Sequence, residues 1–296
     1  MHPDEVPIDA PLVRSLIDTQ FPDWASLPID PVHPRGTDNA LFRLGDRMVV
    51  RMPRRERNVQ TLLKERSWLA ALAPSLPAAV PLPVAAGDPT ADYPLAWSIY
   101  TWLDGEAATP ERLPDSARTA VQLADFISAL RGIDPTGGPP PGNHNFFRGA
   151  DLATRDALTR NAIRNLGKVI DGRAATTIWR TALRADPWRD APVWIHGDLD
   201  ARNLLAHDGE ITAVIDWGCL GVGDPACDVM VAWKMLPPGA RQSFRDRLAV
   251  DADTWARARG WVVSQAVLAL AYYTDETNPP LVAEGRRWLG EAIAGY

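Results

Sequence analysis

His196-Gly197-Asp198-Leu199-Asp200-Ala201-Arg202-Asn203 and, further on, Ile215-Asp216-Trp217-Gly218 are the stretches that decide how this chain reads. The first follows a short apolar run, Val193-Trp194-Ile195, and the second closes another, Ile211 to Ile215, so each sets a carboxylate at the end of a strand. Asp198 and Asn203 lie five positions apart, and Asp216 follows Asn203 by thirteen. That interval suits a β-hairpin turning at His207-Asp208-Gly209, which brings these side chains to one edge. A carboxylate, an amide oxygen and a second carboxylate are the parts that phosphoryl transfer from a nucleotide requires. The first carboxylate orients the attacking hydroxyl and accepts its proton. The other two side chains hold Mg²⁺, which is content with a few hard oxygen ligands, phosphates and water.

Outward from these motifs the pattern is coarse but regular. Asp9-Ala10-Pro11 caps a helix with Leu12, Val13, Leu16 and Ile17 on one stripe. Ala40 to Leu44 and Met48 to Met52 are strands joined by Gly45-Asp46. Residues 55–72 read as a helix ended by Pro77, Pro81 and Pro83, and Leu95 to Leu103 as a buried strand stopping at Asp104-Gly105. Helices follow over 115–131, 151–166 and 174–185, with a Pro- and Gly-rich loop at 134–142. After residue 226 the pattern is helical to the end, with breaks at Pro237-Pro238 and Pro279-Pro280. A strand-rich first hundred residues and a helix-rich remainder predict an α+β chain of two lobes, 1–103 and 104–296.

Composition narrows the partners. The 296 residues carry 31 Lys+Arg against 37 Asp+Glu, a net charge of -6, which argues against a nucleic-acid binder. Only Lys64, Lys168 and Lys234 are lysines, so work usually done by lysine falls to arginine. Two cysteines, Cys219 and Cys227, make no disulfide framework and point to a reducing compartment. The longest apolar stretch, Trp261 to Tyr273, is too short to span a membrane, which needs ~20 residues, and reads as a core helix. A cytoplasmic protein without membrane or nucleic-acid partners is expected.

His196-Gly197-Asp198 with Asn203, Ile215-Asp216-Trp217-Gly218, and Gly223-Asp224-Pro225 with Asp228 together resemble the aminoglycoside phosphotransferases. That family shares the protein-kinase fold, and the likeness extends through the Gly36-to-Pro53 hairpin and the Leu95-to-Gly105 strand. The resemblance implies a protein-kinase-like fold, with a small N-terminal lobe built on an antiparallel sheet and a larger helical C-terminal lobe. It makes Asp198 the catalytic residue and Asn203 and Asp216 the Mg²⁺ ligands. Arg51 would contact nucleotide phosphates, with Glu65 as its ion-pair partner. No G-x-G-x-x-G precedes Arg51; Gly36-Thr37-Asp38-Asn39 stands in its place, with Thr37 and Asn39 facing the nucleotide. The Tyr100-to-Leu103 segment looks like the hinge, Thr101 and Leu103 holding the purine base through main-chain groups. His196 would pack the catalytic loop and Asp228 anchor its backbone. Asp200 occupies the place of a phosphate-binding lysine in protein kinases, which makes a protein substrate less expected.

Aminoglycosides are polycations, so the same resemblance implies carboxylates and aromatic walls on the acceptor side. Asp200, Asp275 and Glu276 are the candidates, followed by Glu284 and Glu291, with Trp233, Trp261, Tyr272 and Tyr273; Trp261 and Tyr272 read as core, and the Tyr296 carboxylate as a possible lining group. The expected activity is an ATP- or GTP-dependent, Mg²⁺-requiring phosphotransferase for a small-molecule hydroxyl, foremost an aminoglycoside-like antibiotic; antibiotic resistance goes with that substrate class, and whether it is the biological role is left open. Alternatives are a kinase for choline, an amino sugar or a macrolide, and a nucleotide-binding module without catalysis. Oligomeric state is left open.

Overall fold

The computed structural model describes residues 5–33 and 38–294, which leaves Gly36, Thr37 and Tyr296 outside the described residues. The chain forms two compact units, residues 1–105 with 213–218, and residues 106–212 with 219–296.

In the first unit, Asp9 caps α1 (Ala10–Gln20) by accepting the Leu12 N–H at 2.9 Å. Five strands follow: β1 (Ile29–Pro31), β2 (Asn39–Leu44), β3 (Met48–Pro53), β4 (Pro83–Gly87) and β5 (Trp97–Thr101). They form one antiparallel sheet in the order β1-β2-β3-β5-β4. Gly45, at φ +59°, turns β2 into β3, a backbone region that costs glycine little. Central β3 alternates at its middle. Val50 and Met52 are buried on the core face, and Arg51, opposite Leu41 and Ser98, projects from the other. Helix α2 (Glu56–Leu72) presents Leu62, Glu65, Leu69 and Leu72 along one buried stripe. The core collects Val13, Ile17, Leu44, Val50, Met52, Trp97 and Ile99.

In the second unit, the short β6 (Glu106–Ala107) precedes α3 (Ser116–Arg131), α4 (Asp156–Leu166) and α5 (Gly172–Arg184). β7 (Val193–Ile195) leads into the 196–203 loop, and β8 (Leu204–His207) and β9 (Glu210–Val214) form the expected hairpin. Asp208 and Gly209, at φ +50° and +80°, make its turn. β10 (Gly221–Gly223) pairs antiparallel with β7. The remainder is helical: α6 (Ala226–Val229), α7 (Val231–Met235), α8 (Pro238–Arg247), α9 (Ala252–Tyr272) and α10 (Pro279–Ala294). Pro238 and Pro279 thus open helices, at the one position where a missing N–H costs nothing.

Long α9 carries the centre of this unit, with Trp261 fully buried. Tyr272, expected in the core, is 67% exposed instead. Burial along α9 fades from residue 268, so its final turn outruns the elements that pack on it. No helix among the described residues is long and apolar enough to cross a membrane.

Candidate active site

The first unit assembles a charged group around Arg51. Its Nη1 contacts Glu65 Oε2 on α2, and its Nη2 lies 3.4 Å from Asp216 Oδ1. Asn39, expected to face the nucleotide, is buried beside it; with its amide oxygen toward the guanidinium it accepts from Nη2 and Nε, both at 3.1 Å. Glu65 is fully buried and its Oε1 has no hydrogen-bond partner among the described residues. Burial therefore pushes its carboxyl up to about 7, against the pull of Arg51. For Arg51, burial is outweighed by Glu65 and Asp216, which push the guanidinium further up. Asp216 itself sits in the left-handed region at φ +56°, and its side chain is 57% exposed.

Along the expected hinge, the Thr101 N–H donates to the Leu82 carbonyl and the Trp102 N–H to that of Arg47, at 2.9 and 2.8 Å. The Thr101 hydroxyl accepts from the Leu82 N–H. A base contact through this segment thus falls to Leu103 or to main-chain carbonyls.

The second unit holds the 196–203 loop by a carboxylate far away in sequence. Asp228 is buried in α6, and its Oδ2 and Oδ1 accept the N–H groups of His196 and Gly197 at 2.8 and 2.7 Å. Burial pushes the Asp228 carboxyl up, while His196 and these two donors pull it down. Gly197 has φ +84°, and a Cβ there would stand 2.7 Å from the Cys219 carbonyl oxygen, so only glycine fits. His196 is fully buried and its Nδ1 accepts the Asp198 N–H at 3.2 Å.

Asp198 is half-buried, and Asn203 Nδ2 donates to its carbonyl oxygen at 2.8 Å and lies 3.5 Å from its Oδ2. Burial alone would raise the Asp198 carboxyl. Lys234, Arg148, Arg202 and His196 outweigh it and hold the group near a pKa of about 2. It is a carboxylate at neutral pH.

The candidate acceptor-side carboxylates each have partners within the chain. Asp200 is 1% exposed and turned inward; its Oδ1 accepts the Arg202 N–H at 2.9 Å, and its Oδ2 takes Arg202 Nη2 at 2.5 Å. Asp275 is exposed and paired with Arg286 at 3.0 Å, and Glu276 accepts from the Thr274 hydroxyl at 3.1 Å. Glu284 and Glu291 pair with Arg287 and Arg241. Trp233 is buried against Trp255, with ring centroids 4.4 Å apart.

Sequence reasoning missed Lys234 and Arg148. Lys234 Nζ lies 3.6 Å from Asp198 Oδ1 and 3.7 Å from Asp200 Oδ2, and Arg148 Nη2 lies 3.6 Å from the same Asp198 oxygen. The available signal was a lysine, one of three in the chain, standing inside the apolar run Val229-Met230-Val231-Ala232-Trp233 and Met235-Leu236.

The sequence profile of the phosphotransferase enzyme family matches residues 31–261. YcbJ of Bacillus subtilis (strain 168) is 28% identical over 203 residues, a match spanning 62% of this chain and 61% of that protein. Among solved structures, the GDP and kanamycin complex of APH(2")-IIIa superposes with a TM-score of 0.75 at 20% identity, over 96% of this chain and 99% of the other. Macrolide 2'-phosphotransferase MphH from Brachybacterium faecium gives 0.63 at 21% identity, over 96% and 98%. At such identities the likeness is one of fold, and it is the protein-kinase-like fold that the sequence resemblance implied. With a profile match across most of its length and the motifs on the elements described, the chain belongs to the phosphotransferase enzyme family.

Proposed function

We propose that this enzyme moves the γ-phosphoryl group of ATP or GTP to a hydroxyl of a small molecule, foremost an aminoglycoside-like antibiotic. The observation that carries the reading is Asp198, a half-buried carboxylate kept ionised by cations on a loop whose backbone Asp228 holds. Asp198 orients the acceptor hydroxyl. Because the transition state is loose, the proton need leave only late, and a weakly basic carboxylate is adequate to receive it. Arg51, fixed by Glu65 and Asn39, offers a planar fork to phosphate oxygens, which lysine would not reproduce. Thr37, Thr101 and Leu103 complete the nucleotide contacts in this proposal.

The chemistry of Asn203 and Asp216 fits Mg²⁺. Asp216 is an exposed carboxylate, and tying Asn203 Nδ2 to the Asp198 carbonyl leaves the amide oxygen as its acceptor. These two side chains would hold the ion, which supplies charge neutralisation on the phosphates when bound. The solved relatives described as complexes with GDP, ATP, kanamycin or streptomycin support a nucleotide and a small-molecule acceptor.

A second reading, a less charged acceptor such as a macrolide, is favoured by one observation: Asp275, Glu284 and Glu291 are each already matched by an arginine. Phosphate transfer to a panel of aminoglycosides, macrolides, choline and amino sugars, read as a mass gain of one phosphate, separates these readings. Asp198→Ala is expected to abolish transfer while nucleotide still binds, and Asp216→Ala to weaken binding of the Mg²⁺-nucleotide. Wild-type turnover in Asp198→Ala would overturn the mechanism. Nucleotide binding without transfer to any acceptor would leave a binding module.

A further inference from the structure

Lys234 is fully buried, yet its ammonium is not engaged as a structural lysine would be. A buried ammonium costs several kcal/mol unless it is paired and hydrogen-bonded, and a charge-assisted bond to one carboxylate would run about 2.7–2.9 Å. Among the described residues Nζ has no hydrogen-bond partner; it stands 3.6 Å from Asp198 Oδ1, 3.7 Å from Asp200 Oδ2, and 4.4 Å from the centroid of the Trp288 ring. Asp200 has little need of it, since the main-chain N–H and guanidinium of Arg202 already occupy both its oxygens.

The two oxygens of Asp198 are sorted by these neighbours. Oδ1 faces Lys234 and Arg148, both at 3.6 Å. Oδ2 has Asn203 Nδ2 at 3.5 Å. Two cations on one oxygen fix the rotation of the carboxylate about its Cβ–Cγ bond and turn the other oxygen away from them. Lys234 reaches the loop from α7, and Trp288 on α10 closes the space behind it, so its position is set by three separated stretches of chain. Electrostatic attraction to the ring face stabilises the ammonium without competing for the carboxylate.

We infer that Lys234 is a positioning residue for phosphotransfer: from α7 it anchors Oδ1 of Asp198, so that Oδ2 is the oxygen presented to the acceptor hydroxyl. This rests on the phosphotransferase reading above. It does not require Lys234 to touch any substrate, and its full burial agrees with that.

Lys234→Met keeps the length of the side chain and removes the charge. The expected result is a folded protein whose kcat falls about 100-fold, the scale of a misplaced catalytic group, with KM for the nucleotide unchanged. The substrate is whichever of kanamycin, erythromycin, choline or glucosamine the wild-type protein phosphorylates. A folded Lys234→Met protein with wild-type kcat, or with its loss confined to nucleotide KM, overturns the inference.

A second measurement needs neither activity nor a Lys234 variant. With three lysines in the chain, ¹⁵N-lysine NMR gives three side-chain signals. The one protected from solvent exchange is expected to belong to Lys234 and to move in Asp198→Asn; an unmoved signal overturns the contact. A wild-type protein that phosphorylates nothing would instead sink the phosphotransferase reading, and the lysine's catalytic role with it.

Discussion

Asp228→Ala offers the most direct test of what holds the catalytic loop. The wild-type carboxylate accepts two main-chain N–H groups, from His196 at 2.8 Å and Gly197 at 2.7 Å, and all three residues are buried. Hydrogen bonds to a charged acceptor contribute about 1.5–3 kcal/mol each, and the same range covers donors left unpaired in the interior. Removing both is therefore expected to cost about 3–6 kcal/mol. In a unit of this size each kcal/mol lowers the melting temperature by roughly 2–4 °C, so a drop on the order of 10 °C follows. Asp228→Asn should lose less, because its amide oxygen still accepts one N–H while its NH₂ opposes the other.

Catalysis should fall further than stability alone explains. Gly197 is held at φ +84° against Cys219, and Asp198 is the next residue, so slack in the anchor displaces the carboxylate directly. A shift near 1 Å costs about 100-fold in rate. Nucleotide affinity, which the proposal assigns to Arg51 in the other unit, should be unchanged. Urea unfolding together with kcat and nucleotide KM for the two variants checks each part. An Asp228→Ala protein within about 1 kcal/mol of wild type, with unaltered kcat, would refute the anchoring role.

Arg51→Met should raise the nucleotide KM and also destabilise the first unit by about 3–5 kcal/mol, because Glu65 is left buried without its cation. Adding Glu65→Gln is expected to restore most of that stability in urea unfolding but none of the nucleotide affinity. Asp251 caps α9 through the Thr254 N–H at 2.6 Å. Burial acts to raise its carboxyl, but the Thr254 hydrogen bonds prevail and the folded value is lowered. Its contribution is therefore present above the ordinary carboxylate pKa of about 3.9 and is lost as pH falls through the lower folded value. Asp251→Ala should cost about 1 kcal/mol at pH 7 and progressively less below about pH 4, as followed by urea unfolding across that range.

Elements long enough to show a repeat were legible before any coordinates. The β2–β3 hairpin around Gly45, the α2 stripe and the turn at Asp208-Gly209 all follow from local pattern, because a strand or helix with one buried face writes that face into its own residues. Strands β1, β4, β6 and β10 did not, since they are short and carry no strong apolar run such as Val193-Trp194-Ile195 in β7, and are held by their partners. Tyr272 misled for a related reason: its apolar helix continues past the elements that cover it.

The chemistry divides in the same way. Asp198, Asn203 and Asp216 could be named from spacing, because they lie on one short stretch at strand ends. Contacts across the fold were legible only through the family resemblance, which set Glu65 beside Arg51 and Asp228 under the loop 31 and 32 residues back. Asn39 on Arg51 and Lys234 on Asp198, 36 positions away, left no such mark. Asp200 was assigned to the acceptor by its type and place, but packing turned it inward onto Arg202. Sequence by itself determined which residues are the candidates for the chemistry and which elements carry them, because hydrophobic periodicity and motif spacing are local. Only the tertiary structure decided which further groups stand beside each buried charge, as Lys234 and Arg148 do beside Asp198, because a buried charge is stabilised by whatever the fold sets next to it, and those neighbours lie far away along the chain.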